Sequence, residues 1–253
     1  MRRYRVMDAF VAALPMYDWP EVRASVDAEW AALRDRLRAA GIAAPKALTR
    51  PGEGGAPDDL AALWRDPRLL LAQSCWGPMQ DGLARHVLVV GQPDYSDIEG
   101  GAGEDYSSAI LMRREPGQDA PVAAPADGAA ILPLDRLRGR RFAYNCADSM
   151  SGLKAIARDL AAAGTSLDIF AGSAASGGHR CSIRLVAAGA ADVCAVDCRS
   201  WALAGRWEPA AAALAPVGWT ARSKGLPFIM AKALAPLEGA VRAALADAGA
   251  IVR

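Results

Sequence analysis

Residues 144–153 read Tyr144-Asn145-Cys146-Ala147-Asp148-Ser149-Met150-Ser151-Gly152-Leu153, and they decide the fold. Arg140 to Tyr144 has the content of a strand and Ala147 to Ser149 that of a turn. Leu153, Ile156, Ala157 and Leu160 then recur at helical spacing, through about Ala163. A strand thus empties into a loop of small hydroxyl residues, and the loop opens a helix. Ser149 or Ser151 can cap that helix with its hydroxyl. The unpaired N–H groups of the first turn carry the positive end of the helix dipole, which makes such a terminus a ready anion site. Serine and aspartate are also ordinary at helix starts, so the same residues would serve equally as caps in a helix that binds nothing.

The same grammar repeats on either side. Val11 to Leu14 reads as a strand ending in Pro15-Met16-Tyr17-Asp18-Trp19-Pro20. Glu21 to Ala40 is an amphipathic helix with Val22, Val26, Trp30, Leu33 and Leu37 on one face, stopped by Gly41. Ala47 to Thr49 reads as a strand, Arg50 to Pro57 as a Gly/Pro loop, and Asp58 and Asp59 open a short helix through Trp64. Arg68 to Ala72 is a strand that runs into Gln73-Ser74-Cys75-Trp76-Gly77-Pro78. His86 to Gly91 and Tyr106 to Arg113 are strands, and Glu115 to Gly128 is a surface loop. After an Ala/Gly/Ser passage from Ala171 to Gly178 come a helix (His179 to Ala188), a buried strand (Asp192 to Val196) and a short helix (Cys198 to Ala204). Leu214 to Thr220 and Phe228 to Lys232 are strands, and Leu237 to Ala248 is an amphipathic helix.

This alternation predicts an α/β protein with mostly parallel sheets. Ligands of such sheets sit beyond the carboxyl ends of the strands, so the loops after Leu14, Ala72, Tyr144 and Val196 are expected to converge on one site.

The 253 residues suffice for one large domain or two lobes. Lys plus Arg (29) nearly cancels Asp plus Glu (28), so nothing in the overall charge attracts nucleic acid or an anionic membrane. No apolar run reaches the length of a membrane span. Arg2, Arg3 and Arg5 precede an apolar stretch that Asp8 breaks and Pro15 closes, a poor core for an export signal. The five cysteines form an odd set without the spacing of a disulfide framework, which fits a reduced compartment.

Four strand-end loops carry the candidate chemistry: Tyr17 and Asp18; Gln73 and Ser74; Ser149 and Ser151; and Asp197 with Ser200 and Trp201. The set is rich in neutral donors and poor in strong bases, which suits a small oxyanion. His179 opens a helix after Gly177-Gly178 and either donates a further bond or merely caps that helix. Asp18 and Asp197 either accept from a hydroxyl or amine on the ligand or act as helix caps. Ser149 lacks the glycine of a nucleophile elbow. His179 with Cys146 or Cys181 would make a Cys–His pair, although cysteine is commonly a small buried hydrophobe. Cys194 and Cys198 do not have zinc-pair spacing, and neither a Walker loop nor a dinucleotide fingerprint follows a strand. No metal and no cofactor are expected. Gly52-Glu53-Gly54-Gly55 and Gly100-Gly101-Ala102-Gly103 read as flexible loops.

Four motifs in order are informative: Asp148-Ser149-Met150-Ser151-Gly152 after a strand, Ser176-Gly177-Gly178-His179-Arg180-Cys181-Ser182-Ile183 opening a helix, Ala188-Gly189-Ala190-Ala191-Asp192-Val193 entering a strand, and Asp197-Cys198-Arg199-Ser200-Trp201 after it. Together they resemble the phosphate/phosphite/phosphonate substrate-binding proteins of ABC importers. The resemblance runs from about Val11 to the C-terminal helix and is strongest from Arg140 to Leu203. It implies a type II periplasmic-binding-protein fold, with two α/β lobes, two crossing segments and a ligand held between the lobes by hinge closure. The crossings would fall near Gly91 to Tyr106 and Leu214 to Ser223. Lobe 1 would then comprise 1–97 together with the return crossing and remainder, 214–253, and lobe 2 would comprise 98–213.

By motif position, the implied oxyanion contacts are Ser149, Ser151 and the Gly152 amide, with His179 and Asp197 facing the cleft. Tyr17, Gln73 and Ser74 match in the first lobe. Leu153 stands where the family motif often has tyrosine. The resemblance implies a solute-binding protein, not an enzyme, that captures a phosphate- or phosphonate-like oxyanion for uptake through an ABC permease. It implies the periplasm, while the lack of a recognisable export signal keeps the cytoplasm open. Two alternatives use the same fold: an enzyme akin to the thiamine-pyrimidine synthases, with His179 and a nearby cysteine reactive, and a cytoplasmic sensor that binds a partner protein on closing.

Overall fold

Leu69 to Gln73 are buried without exception, the pattern of a strand covered on both faces. In the computed structural model, which describes residues 10–53, 59–114 and 120–252, this strand is central to the first of two units. Arg2, Arg3, Arg5, Asp8, Gly54, Gly55, Asp58 and the start of the Glu115 loop lie outside the described residues. The chain divides into unit 1, Met1–Pro93 with Leu226–Arg253, and unit 2, Asp94–Gly225.

The first part of unit 1 holds β1 (Val11–Ala13), α1 (Arg23–Ala39), α2 (Leu60–Trp64), β2 (Leu69–Gln73), α3 (Trp76–Gln80) and β3 (Val87–Gly91). Unit 2 opens with β4 (Gly101–Ala102), β5 (Asp105–Tyr106), β6 (Ser108–Arg113), α4 (Leu134–Leu137) and β7 (Arg141–Tyr144). It continues with α5 (Ala155–Ala162), β8 (Gly172–Ala175), α6 (His179–Ala187), β9 (Val193–Asp197), α7 (Cys198–Trp207), β10 (Leu214–Trp219) and β11 (Ser223–Lys224). Unit 1 is completed by β12 (Phe228–Ala231) and α8 (Glu238–Asp247).

The unit 1 sheet has the order β1-β2-β12-β3. Its core takes Val26, Trp30, Leu33 and Leu37 from α1, one helical stripe, and Val241, Ala244 and Leu245 from α8. The larger unit 2 sheet has the order β10-β6-β9-β7-β8, and a short ribbon pairs β11, β5 and β4. Phe142 and Phe170 stack at 4.7 Å in the unit 2 core, beside Ile110, Ile156, Leu160 and Val193. Ahead of β9, Asp192 Oδ2 accepts from Arg141 N and Nε at 2.9 Å, and its Oδ1 lies 3.4 Å from Arg113 Nη2. The Arg141 guanidinium holds this carboxyl well below the usual carboxylate range. The clasp joins the start of β7 and the end of β6 to the strand that ends at Asp197.

The class is α/β as expected, but the pairing is mixed rather than mostly parallel. β1 and β2 are parallel, as are β7 with β8 and β7 with β9. β12 runs against both β2 and β3, β6 against β9, and β10 against β6. Phe228, the first residue of β12, pairs with the last residues of β2 and β3, Gln73 and Gly91. A strand entering at the edge where its neighbours end must run back along them, and no helical crossover intervenes to reverse it.

Three local expectations are corrected. Ala47 to Thr49 does not join the sheet and holds β1 by one bond, Thr49 N to Ala12 O at 2.7 Å. Gly172 to Ala175 is a strand although its residues have weak strand propensity, because it pairs with β7. The helix after Ser149 opens as a π-turn, Met150–Lys154, and becomes α-helical only at Ala155.

Candidate functional site

β7 ends at Tyr144, and the chain turns into the π-turn within six residues. Ser149 is the cap: its Oγ accepts from Gly152 N at 3.0 Å, while Ser149 O accepts from Lys154 N at 3.0 Å. The wide turn brings Gly152 against the Asn145 side chain, where a Cβ would overlap Asn145 Oδ1 and press on Ser149 Oγ at 3.2 Å. Only glycine fits without a shift, a structural demand invisible in the motif itself. The Ser151 N–H, in the first turn, has no acceptor within the helix. Ser149 and Ser151 are both buried.

The next parallel strand edge supplies the partner. Ser176 N bonds Tyr144 O and Gly177 N bonds Asn145 O, so the loop after β8 follows the loop after β7 and delivers α6 beside it. His179, the first residue of α6, places Nε2 3.0 Å from Ser151 Oγ. The same nitrogen lies 3.3 Å from Asp197 Oδ2, at the end of β9. Asp197 also caps α7, with Oδ1 accepting from Ser200 N at 2.9 Å. Asp197 therefore caps a helix, one of the two roles the sequence left open for it, and it also faces the histidine. A Ser176–Ser182 hydroxyl pair at 2.7 Å tightens the first turn of α6.

α6 is braced from its far side. Glu208 Oε2 accepts from Arg180 Nε at 2.6 Å and Arg184 Nε at 2.9 Å. Burial works to raise the Glu208 carboxyl, but the two arginines outweigh it and hold it below its ordinary value.

The proton positions follow from valence. Burial pulls His179 below its ordinary pKa, against the opposing pull of Asp197 and the Ala195 backbone, so the ring is neutral near pH 7 and carries one proton. A carboxylate can only accept, so that proton sits on Nε2, between Asp197 and Ser151. Ser151 Oγ then accepts from His179, and Ser149 Oγ accepts from Gly152 N. Each hydroxyl is filled from behind, and each keeps its own proton for another acceptor. The Gly152 N–H, expected to reach the oxyanion itself, instead orients Ser149.

The trio is not a hydrolytic relay. Such a relay needs the carboxylate on one ring nitrogen and the nucleophile on the other, whereas Ser151 and Asp197 meet the same one. Burial pushes the Cys194 and Cys198 thiols far up, away from thiolate reactivity. Cys146 and Cys181 are exposed, and no disulfide forms among the described residues. Among those residues no group of three or more His, Cys, Asp and Glu side chains could hold a metal ion, and no helix is long and apolar enough to cross a membrane.

His179 gives the site a pH signature. The folded state takes a proton on this ring less readily than the unfolded chain, so below roughly pH 6.5 the unfolded state binds more protons and stability falls. The contribution is fully present above that pH and is lost as acid is added. Calorimetry of wild type and His179→Gln from pH 7.5 to 5.5 is expected to show the stability gap narrowing toward acid; a constant gap would contradict this reading.

Unit 1 arranges its candidates separately. Tyr17 is buried in the loop after β1, with its carbonyl accepting from Trp19 N at 2.9 Å. Asp18 is engaged: Arg50 Nε donates to its Oδ2 at 2.6 Å, and Arg23 Nε is 4.0 Å from Oδ1. Arg50 also bonds Asp27 at 2.8 Å, and Asp18 is foremost among the groups that raise its pKa. The carboxylate read as a ligand acceptor is thus taken by an arginine 32 residues away in sequence. Gln73 is buried, and its carbonyl accepts from Trp64 Nε1 at 2.9 Å. Ser74 is fully buried, bonding Pro227 O through its N–H, and its Oγ has no partner among the described residues. Trp201 and Ser200 lie in the first turn of α7.

Comparison with solved structures places the same fold in several other proteins. XAC2383 from Xanthomonas citri, bound to chloride ion, matches at 20% identity and TM-score 0.63, over 94% of this chain and 82% of that one. PhnD1 from Prochlorococcus marinus, in complex with methylphosphonate, matches at 17% identity and TM-score 0.63, over 95% and 82%. PA3383, a binding-protein component of an ABC phosphonate transporter from Pseudomonas aeruginosa, matches at 14% identity and TM-score 0.61, over 94% and 73%. At these identities the likeness establishes the type II periplasmic-binding-protein fold and nothing finer. A comparison with curated proteins finds no match. The model of one family, described as ABC transporter, phosphonate, periplasmic substrate-binding protein, matches residues 98–250, more than half of the sequence and nearly all of unit 2, and the chain belongs to that family.

Proposed function

We propose that this chain captures a small oxyanion, phosphonate- or phosphate-like, at the Ser149–Gly152 turn of unit 2. One arrangement carries the reading: Ser149 Oγ accepts from Gly152 N, and Ser151 Oγ lies 3.0 Å from His179 Nε2, the nitrogen assigned the ring proton above, so each buried hydroxyl holds a proton for an incoming acceptor. They sit at the positive end of a helix, beside the Ser151 N–H, where an anion is favoured. A hydrogen bond to a charged oxygen is about twice as strong as a neutral one, and two preset donors specify it by geometry rather than by counter-charge. His179 and Asp197 act behind the solute by fixing the Ser151 proton. Family membership supports delivery to an ABC permease, and the periplasm is the proposed compartment.

A thermal-shift series with methylphosphonate, phosphite, phosphate, sulfate and amine controls tests the reading. A solute at about 100 times its dissociation constant adds about 2.7 kcal/mol, which raises Tm by about 5–10 °C at this chain length. A rise with a phosphonate or phosphate and none with amines is the expected result. No rise with any oxyanion, or a rise only with amines, would overturn it.

A further inference from the structure

The carboxamide of Asn145 lies against the Ser149–Gly152 turn and is met by nothing there. Asn145 follows the last residue of β7, and its main-chain carbonyl accepts from Gly177 N at 2.9 Å, which fixes where the side chain starts. Oδ1 occupies the place a Cβ on Gly152 would take, and Ser149 Oγ is 3.2 Å from that same place. The carboxamide and the Ser149 hydroxyl are therefore neighbours across one glycine. Oδ1 is buried and meets no N–H or O–H among the described residues, although Asn145 as a whole is only half-buried. Nδ2 likewise makes no hydrogen bond among those residues. Native proteins leave few buried polar atoms unmet, and an unmet one lowers stability.

Charge decides which end of the amide turns inward. The atom it packs on is the Gly152 Cα, whose hydrogens carry a slight positive charge. They attract a carbonyl oxygen and repel an amino group. Oδ1 therefore faces the turn, and the two Nδ2 hydrogens face away from it, unclaimed by the protein. The stability given up at Oδ1 leaves two N–H donors beside Ser149.

We infer that Asn145 is a third side-chain donor to the oxyanion, using Nδ2 to bind an oxygen that Ser149 and Ser151 leave unbound. The inference rests on the solute-binding reading and narrows its substrate class. The Ser149 O–H, the Ser151 O–H, the Ser151 N–H and Nδ2 all give a hydrogen bond and none takes one, and all belong to unit 2. A headgroup whose oxygens only accept, such as a fully ionised phosphonate, satisfies every donor. A protonated P–OH turned toward Nδ2 would set hydrogen against hydrogen, so the site selects the ionised form.

Titration calorimetry with methylphosphonate at pH 8, where an aspartate side chain is ionised, tests this. Asn145→Ala is expected to bind about tenfold more weakly than wild type, from one lost hydrogen bond to a charged group. Asn145→Asp keeps the shape but only accepts and is charged, so it should bind about 100-fold more weakly. Folding is read apart from binding: Asn145→Ala deletes a buried unmet oxygen, so its Tm without solute should hold or rise. In wild type the Nδ2 proton signals, assigned through Asn145→Asp, should move along the same saturation curve. Unchanged affinity in Asn145→Ala would overturn the inference. So would Asn145→Asp binding as tightly as wild type, which would show an oxygen of residue 145 facing a proton on the solute. Weaker binding by Asn145→Ala with the wild-type Nδ2 signals unmoved would make the residue structural and overturn it as well. No methylphosphonate binding by wild type would instead overturn the solute-binding reading, and this inference with it.

Discussion

Ser151→Ala is expected to weaken methylphosphonate binding by about 10- to 150-fold, the range set by losing one hydrogen bond to a charged group. The hydroxyl is buried, and with the ring proton on Nε2 one of its lone pairs accepts from His179 at 3.0 Å, so its own proton points away from the ring. The apo protein should lose little stability, because the cap of this turn is Ser149, and His179 Nε2–H retains Asp197 at 3.3 Å. Ser151→Thr keeps the hydroxyl and should recover part of the loss. Titration calorimetry reads affinity and differential scanning calorimetry reads stability. An unchanged affinity in Ser151→Ala would remove the hydroxyl from the site.

Asp197→Ala should be the most damaging substitution here for stability, at about 2–3 kcal/mol, from a lost helix cap and a lost buried partner for a histidine. Asp197→Asn separates the two. Its amide oxygen can still accept from Ser200 N and cap α7, so urea unfolding should show the smaller loss. With the charge gone, nothing holds the histidine proton on Nε2. Ser151 can then donate to the ring instead of to the solute, and methylphosphonate affinity should fall about tenfold although Asp197 need not touch the solute. Full affinity in Asp197→Asn would show that the carboxylate does not set the Ser151 proton.

Much of this arrangement was legible in the sequence, for a physical reason. Ser149, His179 and Asp197 all stand where a strand end or glycine pair gives way to a helix, and in α/β sheets such loops gather at one edge. The local pattern was therefore enough to single out Ser151, His179 and Asp197, which the structure brings into contact. What local pattern does not encode is pairing at a distance. β8 is a strand because β7 lies beside it, and Ala47 to Thr49 is not one because only a single bond joins it to β1. The direction of β12 depends on the edge at which it enters. Asp18 was legible as a polar strand-end residue, but the arginine that neutralises it is remote in sequence.

The central claim concerns place: the oxyanion sits on the first turn after Ser149. Amide nuclear magnetic resonance during a methylphosphonate titration measures that directly. The Ser151 N–H signal should move downfield, and the Gly152 and His179 amide signals should shift with it along the same saturation curve as the calorimetric isotherm. Saturable binding that leaves these three amides unmoved would put the solute elsewhere and contradict the account.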